Sequence, residues 1–435
     1  MSDELRAKLA RLRREPVSRP TPAAALVTSS ALTSGAALPA WFTTRASSTA
    51  LEELSGGARS LGAPAELREA TNARGAFAVR TRDYAETHAH GDVLLAEGRA
   101  APPAEFAWLT RDPALAELDP ARCVFLDIET TGLAGGAGTI PFLVALGSFE
   151  QGSFRLWQAF LRDPGEEAAA LSEVAERVRA ASGLVSFFGK SFDRHRLEDK
   201  MRVHRITPPF AEKPHLDLYH PLVRLYRGAY RDGRLATFEQ ELCGVAREDD
   251  LPGSLAPAAW FDFLAERPHR LEAVFRHNEL DVLSLVTLAA HLGRARSEQR
   301  ADGSPLPGAS RARARALAEL HSARREHALA LDWLERALTR AGSDEGELWF
   351  RHAECLRKLG ERERALEGFL RLARERKDAL SARAWGEVAR LARRLKRVDL
   401  AEEAQALGPA ATKRTLTGKS RARLLSSFRA RAGRV

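Results

Sequence analysis

Cys123-Val124-Phe125-Leu126-Asp127-Ile128-Glu129-Thr130-Thr131-Gly132-Leu133 sets two carboxylates two residues apart at the end of an apolar run. A strand alternates its faces, so Asp127 and Glu129 project on one side with Cα atoms about 7 Å apart. Cys123, Phe125 and the apolar residues between them suit a strand buried inside a sheet. Two uncompensated carboxylates at the end of such a strand repel and are desolvated, which is costly unless a cation or proton stands between them. A divalent metal ion meets that need.

Working downstream, candidate strands cover residues 141–149 and 153–160, separated by turn-forming glycines. Residues 166–180 read as a helix with Leu171, Val174, Ala175 and Val178 on one face. A buried strand at 184–188, a helix at 192–203, a strand edge at 214–217 and helices at 234–243 and 271–292 follow. Three strands, a helix, a strand, a helix, a strand and a closing helix is the order of a ribonuclease-H-like α/β domain, a mixed central sheet flanked by helices.

Upstream, residues 77–80, 92–95 and 105–109 are short pieces expected to pack on this domain, which is placed at 77–294. Residues 16–76 are rich in Ala, Ser, Thr and Pro, with Pro16, Pro20 and Pro22 close together, and are expected to be a disordered linker. Residues 1–15 carry Leu5, Leu9 and Leu12 at helical spacing among basic residues, the pattern of a short amphipathic helix.

Beyond residue 311 small residues recur at Ala318, Ala353 and Ala389, and again at Ala330, Ala365 and Ala401, at spacings of 35 and then 36. The spacing predicts tetratricopeptide-like helical repeats over 311–410, an all-α module for a protein partner or for packing on the catalytic domain. Trp349 and Gly360 fall where such repeats want an aromatic and a turn residue. Plain helical bundling is the alternative.

At 435 residues the chain exceeds one ordinary core. Cys123, Cys243 and Cys355 are odd in number and far apart, which excludes a disulfide framework and a cysteine zinc site and points to a reducing cytoplasm. The charged start and the lack of a long apolar run predict a soluble chain with no membrane segment. The net charge of +9 is concentrated in a basic tail, 411–435, where eight Lys or Arg from Lys413 onward meet no acid. Such a tail either holds phosphate backbones or is simply solvated. Residues 105–294 carry 22 basic and 28 acidic residues, a net of −6, so nucleic acid would meet local patches or the tail rather than a positive domain.

Two further carboxylates answer the opening pair. Asp193 follows a buried strand and opens a helix, and Asp281 shares a helical face with Val274, His277, Leu285 and Leu288. Singly, each has a plain structural reading: a helix cap, a hydrogen-bonded histidine, a salt-bridged acid. Together with Asp127 and Glu129 they form four acids and a histidine.

The Asp-x-Glu-Thr-Thr-Gly-Leu run, the Phe192-Asp193 pair after a strand and His277-Asn278-x-x-Asp281 on the last helix resemble the three motifs of the DEDD superfamily of 3′–5′ exonucleases. More closely, Gly132-Leu133-Ala134-Gly135-Gly136-Ala137-Gly138-Thr139, Gly189-Lys190-Ser191-Phe192-Asp193, Glu248-Asp249-Asp250-Leu251-Pro252-Gly253 and His277-Asn278 resemble the bacterial YprB-like ribonuclease-H-like proteins. The resemblance covers residues 77–292.

The resemblance implies a metal-dependent 3′–5′ exonuclease acting on single-stranded DNA or RNA. Asp127, Glu129, Asp193 and Asp281 would hold two divalent cations, Mg²⁺ or Mn²⁺ by their oxygen-only ligand chemistry. His277 would be the general base, given a near-neutral pKa. Thr130, Thr131, Gly132 and Leu133 would sit near the terminal nucleotide. Two departures stand out: Phe188 occupies a position where many relatives carry Asn, and His277 stands four residues before Asp281, a spacing that mixes two branches and leaves base and positioning roles open. A non-catalytic nucleic-acid or protein adaptor, or an endonuclease on the same fold, are the other functions in view.

Three more features compete. His215-Leu216-Asp217 puts two potential ligands on one strand face, as an accessory site or a satisfied local pair. Residues 132–138 are glycine-rich, but no Gly-Lys-Ser/Thr follows, which argues against a P-loop. Arg194, Arg196, Lys200, Arg202 and Arg205 either grip phosphates or form a solvated helix face.

Overall fold

The computed structural model describes residues 59–132, 138–248, 250–340 and 345–415. The expected helix at 1–15, most of the expected linker, Leu133 and residues 416–435 of the basic tail lie outside them.

The described residues fall into two compact units, one within 59–220 and 232–293, the other within 221–231 and 294–415. The first is built on a sheet of seven strands in the order β1-β2-β7-β6-β5-β8-β9. The strands are β1 (Arg68–Asn72), β2 (Gly75–Ala85), β5 (Val124–Thr130), β6 (Pro141–Glu150), β7 (Ser153–Phe160), β8 (Leu184–Ser186) and β9 (His215–Asp217). A small hairpin of β3 (Ala89–His90) and β4 (Val93–Leu94) stands apart. The ladder is antiparallel from β1 to β5, and β5-β8-β9 is parallel. Mixed pairing of this kind, with helices between the parallel strands, is the ribonuclease-H-like architecture expected from the sequence.

Helices α1 (Leu95–Arg99), α2 (Pro103–Thr110), α3 (Glu167–Ala180), α4 (Asp193–Val203), α5 (Tyr219–Leu225), α6 (Leu235–Cys243), α7 (Ala256–Leu264) and α8 (Leu271–Gly293) complete this part of the chain. Val124, Leu126 and Ile128 of β5 alternate with the carboxylates and join one buried cluster with Leu171, Val174 and Val178 of α3 and Leu197 and Met201 of α4. On the other face, α8 crosses β5 and β6. Gly147 of β6 permits that crossing, since a Cβ there would lie 2.7 Å from Val282 of α8.

The ordered domain begins earlier than the sequence suggests. The β1–β2 hairpin falls partly inside the stretch expected to be linker through residue 76. Half of this edge hairpin stays solvent-exposed, which is why β1, Arg-Glu-Ala-Thr-Asn, shows no apolar period; its pairing through β2 to β7 supplies the order.

The second unit contains α9 (Ser310–Ala323), α10 (His327–Leu338), α11 (Glu345–Leu359), α12 (Arg362–Glu375), α13 (Ala379–Arg394) and α14 (Val398–Thr415). Consecutive helices pack in pairs. Ala318, Ala353 and Ala389 lie on the first helix of each pair, Ala330, Ala365 and Ala401 on the second. The turns within the pairs repeat too. Arg325, Gly360 and Lys396 have φ of 62°, 91° and 58°, and the next residues, Glu326, Glu361 and Arg397, donate N–H to the carbonyls of His321, Leu356 and Ala392 at 3.0, 3.0 and 2.9 Å. This is one helix-capping turn used three times. The last helix runs to Thr415, so the expected tail at 411–435 starts as helix.

Candidate active site

Strand β5 pairs with β8 at Val124 and Phe125 and with β6 along its length, so Asp127 and Glu129 project from one face opposite Ala145 and Leu143 of β6. Pairing with β6 is irregular between Glu129 and Thr130. There Thr130 Oγ1 donates to the Gly132 carbonyl at 3.0 Å, and Thr131 Oγ1 accepts the Ile140 N–H at 3.0 Å. Both threonines therefore close the neck of the glycine-rich loop.

Asp193 is placed by a turn whose anchor the sequence did not reveal. Asp217 of β9 accepts the N–H of Phe188 at 2.8 Å and Tyr219 at 3.1 Å on one oxygen, and of Lys190 at 3.1 Å on the other. These bonds hold Phe188 at φ 61°, with its ring 4.9 Å from that of Tyr219. Only glycine fits next: a Cβ on Gly189 would lie 2.4 Å from Ser186 Oγ and 2.9 Å from Asp193 Oδ2. Helix α4 then opens with Asp193 in its first turn, buried.

Asp217 is thus a turn anchor, and its neighbour His215 is a buried partner of Ser186, with Nε2 2.7 Å from Oγ. Burial, helped by Lys190 and Arg194, pushes His215 down to about 3, so the ring is neutral. His215 and Asp217 therefore bond to separate partners, Ser186 and the turn backbone. On α4 Arg194 pairs with Glu198 at 2.6 Å, Arg202 with Glu198 at 2.9 Å, and Lys200 with Glu167 at 3.0 Å, while Arg196 lies 4.9 Å over the Phe192 ring. The helix spends much of its basic face internally.

Helix α8 contributes His277, Asn278 and Asp281. Asn278 Nδ2 donates to Asp127 Oδ2 at 2.6 Å. His277 Nδ1 stands 2.7 Å from Asp250 Oδ1, and Nε2 stands 3.5 Å from Asp281 Oδ2. Below them Arg247, nearly buried, reaches Asp281 Oδ1 at 2.5 Å, Asp250 at 3.1 Å and the two oxygens of Glu239 at 2.5 and 2.8 Å. Ser284 donates to the same Glu239 and lies 2.8 Å from His90 Nε2.

The electrostatics follow from burial. Desolvation, with the charges of Asp281 and Asp193, raises Asp127 well above the carboxylate range against the Asn278 hydrogen bond. Glu129 is raised by desolvation, opposed by His277 and reinforced by Asp127, Asp281 and Asp250. Asp193 is raised by desolvation and by Asp217, Glu129 and Asp281. Asp250 goes the other way: burial would raise it, but His277 and Arg247 hold it down.

Burial would lower His277, yet Asp281, the Asp250 hydrogen bond and Glu129 carry it up to about 10, so the ring is protonated at neutral pH in this arrangement. The sequence shows one acid near the imidazole, Asp281, and the fold brings Asp250 and Glu129 to it as well.

The structure therefore brings Asp127, Glu129, Asp193, His277 and Asp281 into mutual electrostatic range and adds Arg247, Asp250, Asn278 and, behind them, Glu239 and Asp217. Asp250 lies in the quoted acidic run and Asn278 beside the quoted histidine, so both had a signal. Asp217 was visible in the sequence as a potential ligand beside His215, though not as a turn anchor; Arg247 and Glu239 had no signal, since their roles depend on partners 34 and 8 residues away.

Oxygen-only donors under mutual repulsion fit hard divalent cations. Among the described residues no three His, Cys, Asp or Glu side chains gather around one point; Asp127 is bonded to Asn278 and Asp281 to Arg247.

The fold is a ribonuclease-H-like domain, a mixed central sheet flanked by helices, followed by an all-helical region. Residues 124–293 match the family model described as RNase_H superfamily. Over 224 residues the chain is 34% identical to a protein of Bacillus subtilis (strain 168) called uncharacterized protein YprB, covering 51% of this chain and 52% of that protein. The chain thus spans about half the length of the curated relative it matches. Among the described residues no helix is long and apolar enough to cross a membrane.

Proposed function

We propose that the first unit is a metal-dependent nuclease of the 3′–5′ exonuclease type, hydrolysing phosphodiester bonds at single-stranded DNA or RNA ends. The observation that carries this reading is that Asp127 of β5 is bonded at 2.6 Å by Asn278 of α8, the helix that also carries His277 and Asp281, while Asp193 is buried at the start of α4. Asp127, Glu129, Asp193 and Asp281 would hold two Mg²⁺ or Mn²⁺ ions through oxygen. Such ions, when bound, supply water activation and charge stabilisation at the phosphorus.

The chain's own groups do the rest. Asp127 and Glu129 sit on a central strand, so ligand geometry is set before substrate arrives. His277, held by Asp250, carries a proton at the edge of the cluster; cations added there would oppose the three carboxylates and bring its pKa back toward the range of a proton acceptor. Thr130, Thr131 and Gly132 form the loop neck beside the strand end, which supports a place near the terminal nucleotide. The thrice-used capping turn supports tetratricopeptide-like repeats and a protein partner for the second unit. Three buried free cysteines are in keeping with a reducing cytoplasm.

The test is degradation of 5′-labelled single strands, duplexes and circles with Mn²⁺, Mg²⁺ or EDTA. Laddering of linear single strands from the 3′ end, dependent on metal and lost in Asp127→Ala, is the expected result. Cut circles would replace the reading with an endonuclease, and no metal binding would replace it with an adaptor.

A further inference from the structure

The register of the sheet places four residues in one row across four strands: Arg80 of β2 opposite Gln158 of β7, Gln158 opposite Ala145 of β6, and Ala145 opposite Asp127 of β5. Paired residues share a face, so this row looks at α8. Ala145 leaves room above itself, and Asn278 of α8 bridges it. Gln158 Nε2 donates to Asn278 Oδ1 at 2.8 Å, and Asn278 Nδ2 donates to Asp127 Oδ2 at 2.6 Å. Arg80 Nε donates to Gln158 Oε1 at 3.0 Å, and its NH1 reaches Glu272 at 2.6 Å. Arg80, Gln158 and Asn278 are all fully or almost fully buried.

The direction of this chain is determined. Arginine only donates, so the oxygen of Gln158 must face Arg80. Its NH₂ then faces two acceptors, Asn278 Oδ1 and the Phe275 carbonyl at 3.0 Å. That leaves the NH₂ of Asn278 for Asp127, which must accept. One donor of the guanidinium and one of each amide are aligned along the row toward one carboxylate, and aligned hydrogen bonds polarise one another.

We infer that Arg80, Gln158 and Asn278 form a positioning relay that fixes the Asp127 carboxylate by one oxygen and leaves the other free for a ligand. The β1–β2 hairpin thereby belongs to the catalytic apparatus, because its Arg80 ends the relay. This inference rests on the proposed metal site, since it assigns the relay the task of orienting one of its ligands.

Gln158→Leu is the informative variant: it touches neither Asp127 nor substrate and nearly preserves volume. Mn²⁺ affinity, measured by titration calorimetry on the full chain, is expected to fall about tenfold, the usual effect of losing a group behind a ligand. Asn278→Ala should fall at least as far, and the double variant no further than Asn278→Ala, because both changes break one chain. Wild-type affinity in a folded Gln158→Leu, or additive losses in the double variant, overturns the relay. A wild-type chain that binds no Mn²⁺ would sink the metal-site reading instead. A crystal structure of Gln158→Leu then decides the relay alone: a displaced Asp127 carboxylate supports it, and an unmoved one overturns it.

Discussion

Arg247 holds Asp281 Oδ1 at 2.5 Å through NH2, which also donates to Glu239 Oε2 at 2.8 Å, while its Nε donates to Glu239 Oε1. The guanidinium is the main positive charge within hydrogen-bond reach of Asp281, Asp250 and Glu239, and it is 7% exposed. Removing one member of a buried ionic cluster leaves the others uncompensated. Arg247→Ala is therefore expected to lose about 3–5 kcal/mol of stability, with Arg247→Lys losing less, as read by urea unfolding in EDTA. Equal midpoints for Arg247→Ala and the wild type would show that Glu239 and Asp281 need no counter-charge.

Asp127→Asn removes a charge that burial and two neighbouring acids disfavour. Stability in EDTA at pH 8 should rise, by a few degrees in Tm, while Mn²⁺-dependent strand cleavage is lost. Opposite signs for stability and activity are the mark of a functional carboxylate rather than a structural one. A variant that keeps cleavage, or that loses stability, contradicts this.

Without added metal, stability should fall as pH rises. Asp127, Glu129 and Asp193 have raised folded pKa values, so their contribution is present in acid and lost as pH climbs through those values. His277, raised from 6.5 to about 10, contributes fully below 6.5 and loses its share on the way to 10. Both act in the same direction. Tm in EDTA should decline between pH 6.5 and 10, and Mn²⁺ should flatten the decline. A Tm that climbs across that window would mean the cluster is solvated.

In the helical unit, Arg325 and Lys396 occupy the left-handed position that Gly360 occupies in the middle repeat. A side chain there costs about 1 kcal/mol relative to glycine. Lys396→Gly and Arg325→Gly should each stabilise the unit by roughly that amount, measured by chemical unfolding, less a small unfolded-state term. Gly360→Ala should do the reverse.

The tail beyond Thr415 carries six of the eight basic residues counted from Lys413. Deleting residues 416–435 should weaken binding to a single-stranded oligonucleotide and flatten its salt dependence, by about 0.7 in log-log slope for each phosphate that is no longer neutralised. Unchanged affinity and slope would assign the tail no part in binding.

Sequence alone determined the strand that carries Asp127 and Glu129, the order of the strands from residue 123 to 217 and of four of the helices up to 293, and the 35- and 36-residue rhythm of the helical pairs, while α5 (Tyr219–Leu225) and α7 (Ala256–Leu264) came only with the structure. These are local: apolar period, turn residues and spacing are written in neighbouring positions. The tertiary structure alone decided which side chains partner the acids. Asp217 anchors the turn before Asp193 across 29 residues, and Arg247 meets Asp281 across 34. Asp250 meets His277 across 27 residues, and Gln158 aims Asn278 at Asp127 from 120 residues away. Such pairings arise from sheet register and from the docking of α8, and a charge or an amide shows nothing of them until packing has chosen its neighbour.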